Sequence, residues 1–226
     1  MKGRETMTIA EVAVAEDVIT RLRAHQVQSI DEIYQHNGVP HEAITNKHTS
    51  YLTPLIEEFI NRSPFFLIAT ADGEGNCDVS PKGDPAGCVK ILDPRTIVIP
   101  DRAGNRRVDG HRNLLENPHI GLIFIIPNVD ETVRVNGRAF ITADPELLAS
   151  MQMQGREPNL AIVVQIDEVY MHCARAFLRS GLWKPESWPD PNGIPTLRAI
   201  MCEQKDLPPP DESKGKRQEE YRSVLY

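Results

Sequence analysis

The chain has 226 residues, is 40% hydrophobic and 25% charged, and carries a formal net charge of −7, a length and balance that suit one substantial core. An acidic balance argues against nucleic-acid or anionic-membrane partners, which need a basic surface. Cys77, Cys88, Cys173 and Cys202 are too widely spaced for a disulfide framework or a zinc knuckle and read as reduced thiols.

Residues 1–23 are interrupted by Glu11, Glu16 and Asp17, so they read as neither a signal peptide nor a membrane span, and the expected location is the cytoplasm. Residues 1–62 are expected to form an N-terminal helical cap. Its amphipathic pieces are Ser29 to Tyr34 and Leu52 to Ile60, divided by the breaker Asn37-Gly38-Val39-Pro40. From Ser63 the texture changes. Phe65 to Thr70 and Cys77 to Ser80 read as strands joined by the turn Asp72-Gly73-Glu74-Gly75-Asn76. Further strands are expected at Cys88 to Leu92, Thr96 to Ile99, Ile120 to Ile126, Glu131 to Thr142 and Leu160 to His172. Helices are expected from Arg106 to Glu116, stopped by Asn117-Pro118, and from Asp144 to Met153. Seven short strands with few helices between them predict a mainly β fold, a closed or nearly closed antiparallel barrel over 63–188. Residues 189–226 are proline-rich and charged and read as a C-terminal extension packing on that domain, with Tyr221 to Tyr226 docking at its end.

The stretch Arg102-Ala103-Gly104-Asn105-Arg106-Arg107 is the least ordinary. Residues 101–112 hold four arginines against Asp101 and Asp109, a local surplus of two positive charges in an acidic protein. With Asn105 as N-cap and Val108, His111, Leu114 and Leu115 as an apolar stripe, the arginines sit at the positive end of a helix. An anion, phosphate above all, relieves that arrangement; a solvated arginine turn is the other reading.

Ser80-Pro81-Lys82-Gly83-Asp84-Pro85 reads as a loop, because two prolines and a glycine interrupt a ladder. There Ser80 and Lys82 offer a hydroxyl and a cation to a ligand, with Asp84 as a partner for Lys82; an exposed loop ion pair is the alternative. Along Glu131 to Thr142, Val133, Val135, Ala139 and Ile141 share one face, and Thr132, Arg134, Asn136 and Arg138 the other. The polar face suits an anionic site, a subunit interface or solvent. His172 and Cys173 have no further ligand at metal spacing and no nucleophile motif, so Cys173 reads as a buried structural thiol and no metal site is expected. Arg179 and Trp183 offer a cation and an indole that either cover a flat heteroaromatic ring or seal the core.

Ser63-Pro64-Phe65, Ser80 to Pro85, Gly104-Asn105-Arg106-Arg107, Asn117-Pro118, Arg134-Val135-Asn136-Gly137-Arg138-Ala139, His172-Cys173 and Arg179-Ser180-Gly181-Leu182-Trp183 occur in one order over about Ser29 to Trp188. In that combination the chain resembles the pyridoxamine 5′-phosphate oxidase-like split-barrel proteins that bind flavin mononucleotide (FMN), in an uncharacterised branch. The resemblance implies an antiparallel Greek-key split barrel and a homodimer with two FMN molecules between the subunits. It implies that Asn105, Arg106 and Arg107 hold the phosphate, that Thr132 and Arg134 approach it from the partner, and that the Ser80–Lys82 segment runs along the isoalloxazine ring. His172, Arg179 and Trp183 then close over the flavin. The implied activity is an oxidoreductase passing hydride or electrons between FMN and a small-molecule substrate, with no catalytic side chain assigned. A flavin or tetrapyrrole carrier or sensor without turnover is the alternative. Authentic pyridoxamine 5′-phosphate oxidases end in an Arg-x-His element, whereas this chain ends Glu220-Tyr221-Arg222-Ser223-Val224-Leu225-Tyr226, so that particular oxidation is not expected.

Overall fold

A computed structural model describes residues 9–104 and 106–208, with side chains from residue 16 onward; Asn105 and the segment 209–226, including the expected docking of Tyr221 to Tyr226, lie outside the described residues. The chain divides into two compact units between Lys47 and His48. The first holds α1 (Ile9–Arg23), α2 (Ile30–Asn37) and α3 (Glu42–Thr45). In α2 the Ser29 hydroxyl accepts the Glu32 N–H at 3.2 Å, and Gly38, at φ 79°, takes the left-handed backbone that ends the helix.

The second unit opens with α4 (Pro54–Arg62), which has Pro54 at its first helical position. α4 was expected in the N-terminal cap; its Ile60 is fully buried in the core of the second unit. Seven strands follow, β1 (Phe65–Ala71), β2 (Cys77–Gly83), β3 (Lys90–Asp93), β4 (Thr96–Asp101), β5 (His119–Ile125), β6 (Thr132–Thr142) and β7 (Leu160–His172). They form one antiparallel sheet in the order β2-β1-β5-β6-β7-β4-β3. β4 bypasses β5 and β6 to pair with β7, and β2 and β3 are left as edges. The unit is a mainly β split barrel, as expected; of the closed and nearly closed alternatives the sheet takes the open one, with β2 and β3 unpaired to each other.

Strict alternation places Phe66, Ile68 and Thr70 of β1, Ile120, Leu122 and Phe124 of β5, and Val133 and Val135 of β6 on one buried face. Phe66 and Phe124 lie opposite each other in the register, with ring centroids 5.1 Å apart. A second apolar cluster forms around Val98, Ala161 and Val163, where Leu148 of α6 (Pro145–Ala149) packs. β4 is therefore buried on both faces over Ile97–Pro100, which explains its unbroken apolar run. In β6, Gly137 sits at a bulge against β7, and a Cβ there would lie 2.1 Å from the Gln165 carbonyl oxygen.

The expectation that Ser80 to Gly83 is loop is overturned. These residues continue β2, with Ser80 opposite Ile68, Pro81 opposite Leu67 and Lys82 opposite Phe66. β2 is an edge strand, so half of its backbone groups need no sheet partner and a proline is tolerated there. Cys88 and Val89, expected to open a strand, are buried just ahead of β3. Among the described residues no helix is long and apolar enough to cross a membrane.

Candidate functional site

The segment after β4 leads into α5 (Asp109–Glu116), which starts three residues later than the sequence suggests. Arg106 has φ 61°, a left-handed backbone that no helix accommodates, and the N-cap is Val108, which provides no side-chain hydrogen bond. Of the expected stripe, Leu114 is buried but Leu115 is 80% exposed. α5 is fastened instead by polar contacts. Buried Asn113 donates its amide to Thr70 Oγ1 and to Asp78 Oδ2, both at 3.0 Å, and Glu116 accepts the Gly73 N–H at 3.2 Å. These contacts fasten the C-terminal half of α5 to β1, β2 and the turn between them, and at its other end Val108 makes no side-chain cap hydrogen bond among the described residues.

Two ion pairs flank that end. Arg102 Nε donates to Asp84 Oδ2 at 2.6 Å, and its Nη1 donates to the Met151 carbonyl at 2.9 Å. The Asp84 side chain is only 4% exposed and that of Arg102 16%. Asp84 thus partners Arg102, not Lys82 as expected, and Arg102 is a strut at the base of the arginine segment. Lys82 Nζ donates to Asp101 Oδ1 at 3.1 Å, and Asp101 Oδ2 lies 3.4 Å from His111 Nε2. Burial alone would raise the Asp101 carboxyl, but the His111 and Lys82 contacts outweigh it and hold it below the ordinary value. Arg106 and Arg107 remain exposed, with Arg107 paired to Asp109.

The expected site residues fall into two groups within this unit. Ser80 and Lys82 project from the core-facing side of β2 and, through Asp101 and His111, connect with the start of α5 that carries Arg106 and Arg107. Thr132 and Arg134 project from the other side of β6; Thr132 pairs in register with His172, and Arg134 lies 5.4 Å over the Tyr170 ring. Trp183 joins this second group. Its indole N–H donates to the Val129 carbonyl at 3.0 Å, in the turn before β6, and its ring stacks on Phe177 of α7 (Arg175–Ser180), from which Arg179 stands exposed. β1 and β5 lie between β2 and β6, three strand spacings or about 14 Å. Within the chain Thr132 and Arg134 thus project from the face of the sheet opposite to that of Ser80 and Lys82.

Thr132 is fully buried, and its hydroxyl has no hydrogen-bond partner among the described residues. Cys173 is exposed, which corrects its assignment as a buried thiol; it directly follows the last strand residue, where β7 leaves the sheet. Asp101, His111, Asp84 and Asn113 were missed as site residues. The signal for Asp101 was its place immediately before the arginine run, and for His111 its polar ring within an apolar stripe. Among the described residues no group of three His, Cys, Asp or Glu side chains could hold a metal ion.

The family model for pyridoxamine 5′-phosphate oxidase matches residues 52–173, more than half of the chain and every strand of the sheet. The chain belongs to the pyridoxamine 5′-phosphate oxidase family. Arg179 and Trp183 lie beyond the span of the family match. No curated protein matches the chain. Among solved structures, it is similar to a putative pyridoxamine 5′-phosphate oxidase from Lactobacillus delbrueckii at 22% identity, over 54% of this chain and 95% of that one, with a TM-score of 0.44. HupZ of Group A Streptococcus is 18% identical over 53% of this chain and 93% of its own, with a TM-score of 0.43. The heme storage protein HutZ of Vibrio cholerae is 18% identical over 54% of this chain and 94% of its own, with a TM-score of 0.37.

Proposed function

We propose that this protein binds FMN and works as an oxidoreductase, passing hydride or electrons between the flavin and a small-molecule substrate, as a cytoplasmic homodimer. The observation that carries the reading is the start of α5, where the N-cap Val108 makes no side-chain hydrogen bond among the described residues and Arg106 and Arg107 stand exposed beside it, in a chain of net charge −7. That end is built for an anion, and family membership makes the FMN phosphate the anion of choice. The buried Thr132 hydroxyl, which has no hydrogen-bond partner among the described residues, fits the same group as a further polar contact.

Bound FMN supplies the redox chemistry; the protein supplies binding and orientation. Arg106, Arg107 and the α5 N-terminus hold the phosphate, with Asn105 as a further contact, and Ser80 and Lys82 line the ring. Thr132 and Arg134 of a second copy complete the phosphate side, as the family resemblance implies; within one chain they project from the face of the sheet opposite to that of Ser80 and Lys82. His172, Arg179 and Trp183 close the site from the C-terminal side. A homodimer thereby gives each flavin both groups.

The test is a fluorescence titration with FMN of the wild type and of the double variant Arg106→Ala/Arg107→Ala. The wild type quenches flavin emission saturably, and the variant loses affinity at least tenfold with an unchanged thermal midpoint, since only exposed side chains are removed. Equal affinity in both would refute the phosphate assignment. Reduction of bound flavin by a nicotinamide donor, with reoxidation by candidate acceptors, separates an oxidoreductase from a flavin carrier or sensor.

A further inference from the structure

Lys82 is a long, flexible side chain on an edge strand, a poor starting point for fixing a planar ligand. Yet its side chain is only 26% exposed, and its ammonium donates to a carboxylate from the end of β4. That carboxylate is held in turn. Its other oxygen lies 3.4 Å from His111 Nε2, a buried ring nitrogen that makes no hydrogen bond among the described residues. One carboxylate ties together an edge strand, an inner strand and the helix that follows the arginine segment. The side chains of Lys82, Asp101 and His111 are exposed by 26, 21 and 15%, so the row is shielded enough for its contacts to be directional.

We propose that Asp101, which accepts the Lys82 hydrogen bond and has His111 beside its other oxygen, is the positioning residue for the ring side of the site: it fixes Lys82 at the isoalloxazine while touching no part of the flavin itself. This rests on the flavin reading above. Two opposing effects distinguish positioning from simple charge. Removing a negative charge beside an anionic ligand would tighten its binding, whereas loosening Lys82 weakens it. Because the contact is with the ring, the weakening extends to riboflavin, which lacks the phosphate.

The experiment titrates the full chain, as wild type, Asp101→Asn, Lys82→Met and the double variant, with FMN and with riboflavin. Asp101→Asn is expected to weaken riboflavin about tenfold, the scale of a charge-assisted hydrogen bond, and FMN by no more than that, because the lost carboxylate charge partly offsets the effect for the anionic ligand. Lys82→Met weakens riboflavin likewise, the double variant is no weaker than Lys82→Met, and both single variants shift the visible absorption band of the bound flavin alike. Unchanged or tighter binding by Asp101→Asn, a loss confined to FMN, or additive losses in the double variant would overturn the inference. If Asp101→Asn does not fold, His111→Gln takes its place, with a loss of about threefold for both ligands expected and no change overturning the inference. A wild type that binds neither ligand refutes the flavin reading itself, whereas a wild type that binds both beside an unaffected Asp101→Asn refutes only this inference.

Discussion

The Asp84–Arg102 pair gives the sharpest energetic prediction. Asp84→Asn keeps the shape of the side chain and removes its charge, leaving the Arg102 guanidinium, 16% exposed, without its counter-charge. Breaking a buried pair from one side costs about 3–5 kcal/mol. Arg102 keeps its hydrogen bond to the Met151 carbonyl and some access to water, so the cost falls at or just below the bottom of that scale, about 2–3 kcal/mol. For a unit of this size about 1 kcal/mol moves the thermal midpoint by about 2–4 °C, so a fall of about 5–10 °C is expected. Thermal unfolding followed by circular dichroism reads it directly. The double variant Asp84→Asn/Arg102→Met should lie above the single variant, because no buried charge is then left unpaired. A midpoint within about 1 °C of wild type for Asp84→Asn, or a double variant worse than the single, would refute the strut role assigned to this pair.

Gly137→Ala should be more damaging still, by about 3 kcal/mol or more, because a Cβ 2.1 Å from the Gln165 carbonyl can be accommodated only by moving β6 away from β7; a soluble variant with a wild-type midpoint would contradict the close approach. Thiol labelling at pH 8 should modify Cys77 and Cys173 in the native protein and Cys88 only on unfolding, since burial, reinforced by the Asp84 charge, pushes the Cys88 thiol up to about 11. A raised thiol contributes stability that is fully present below its ordinary 9.0 and is lost as pH rises to about 11, so Cys88→Ala should flatten the alkaline limb of a denaturation profile. At the acid end the sign reverses: Asp101 is held low, its contribution is present above 3.8 and is lost as pH falls further, and Asp101→Asn should flatten that limb. An unchanged limb in either variant would contradict the corresponding assignment.

What was legible in the sequence follows its periodicities. β6 differs by one residue from expectation, because its alternation leaves one register that buries the apolar face, and β7 matches the expected Leu160 to His172, its apolar run Ala161–Val164 being buried on both faces. β2 was misread beyond Ser80 because proline and glycine carry different weight at an edge than inside a sheet, and edge status is set by which distant strands pair. The start of α5 was misplaced because the left-handed backbone at Arg106 is a property of the folded segment, with no marker such as glycine at that position. The arginine segment was recognised as an oddity, yet its members have unequal roles: Arg102 is a strut, and Arg106 and Arg107 are the exposed cations. Carboxylate partners are harder to read, because Asp84 is 18 positions from Arg102 and Asp101 is 19 from Lys82. Local spacing pointed to Asp84 for Lys82, and the crossover of β4 beside β7 redistributed the pairs.

We propose the start of α5, with Arg106 and Arg107, as the flavin phosphate site. The most direct measurement is equilibrium titration of the purified chain with FMN, with riboflavin as the phosphate-free control, followed by flavin fluorescence. Saturable binding at one FMN per chain, with riboflavin weaker by at least tenfold, is the predicted result. No saturable binding of FMN, or equal affinity for the two, would contradict it.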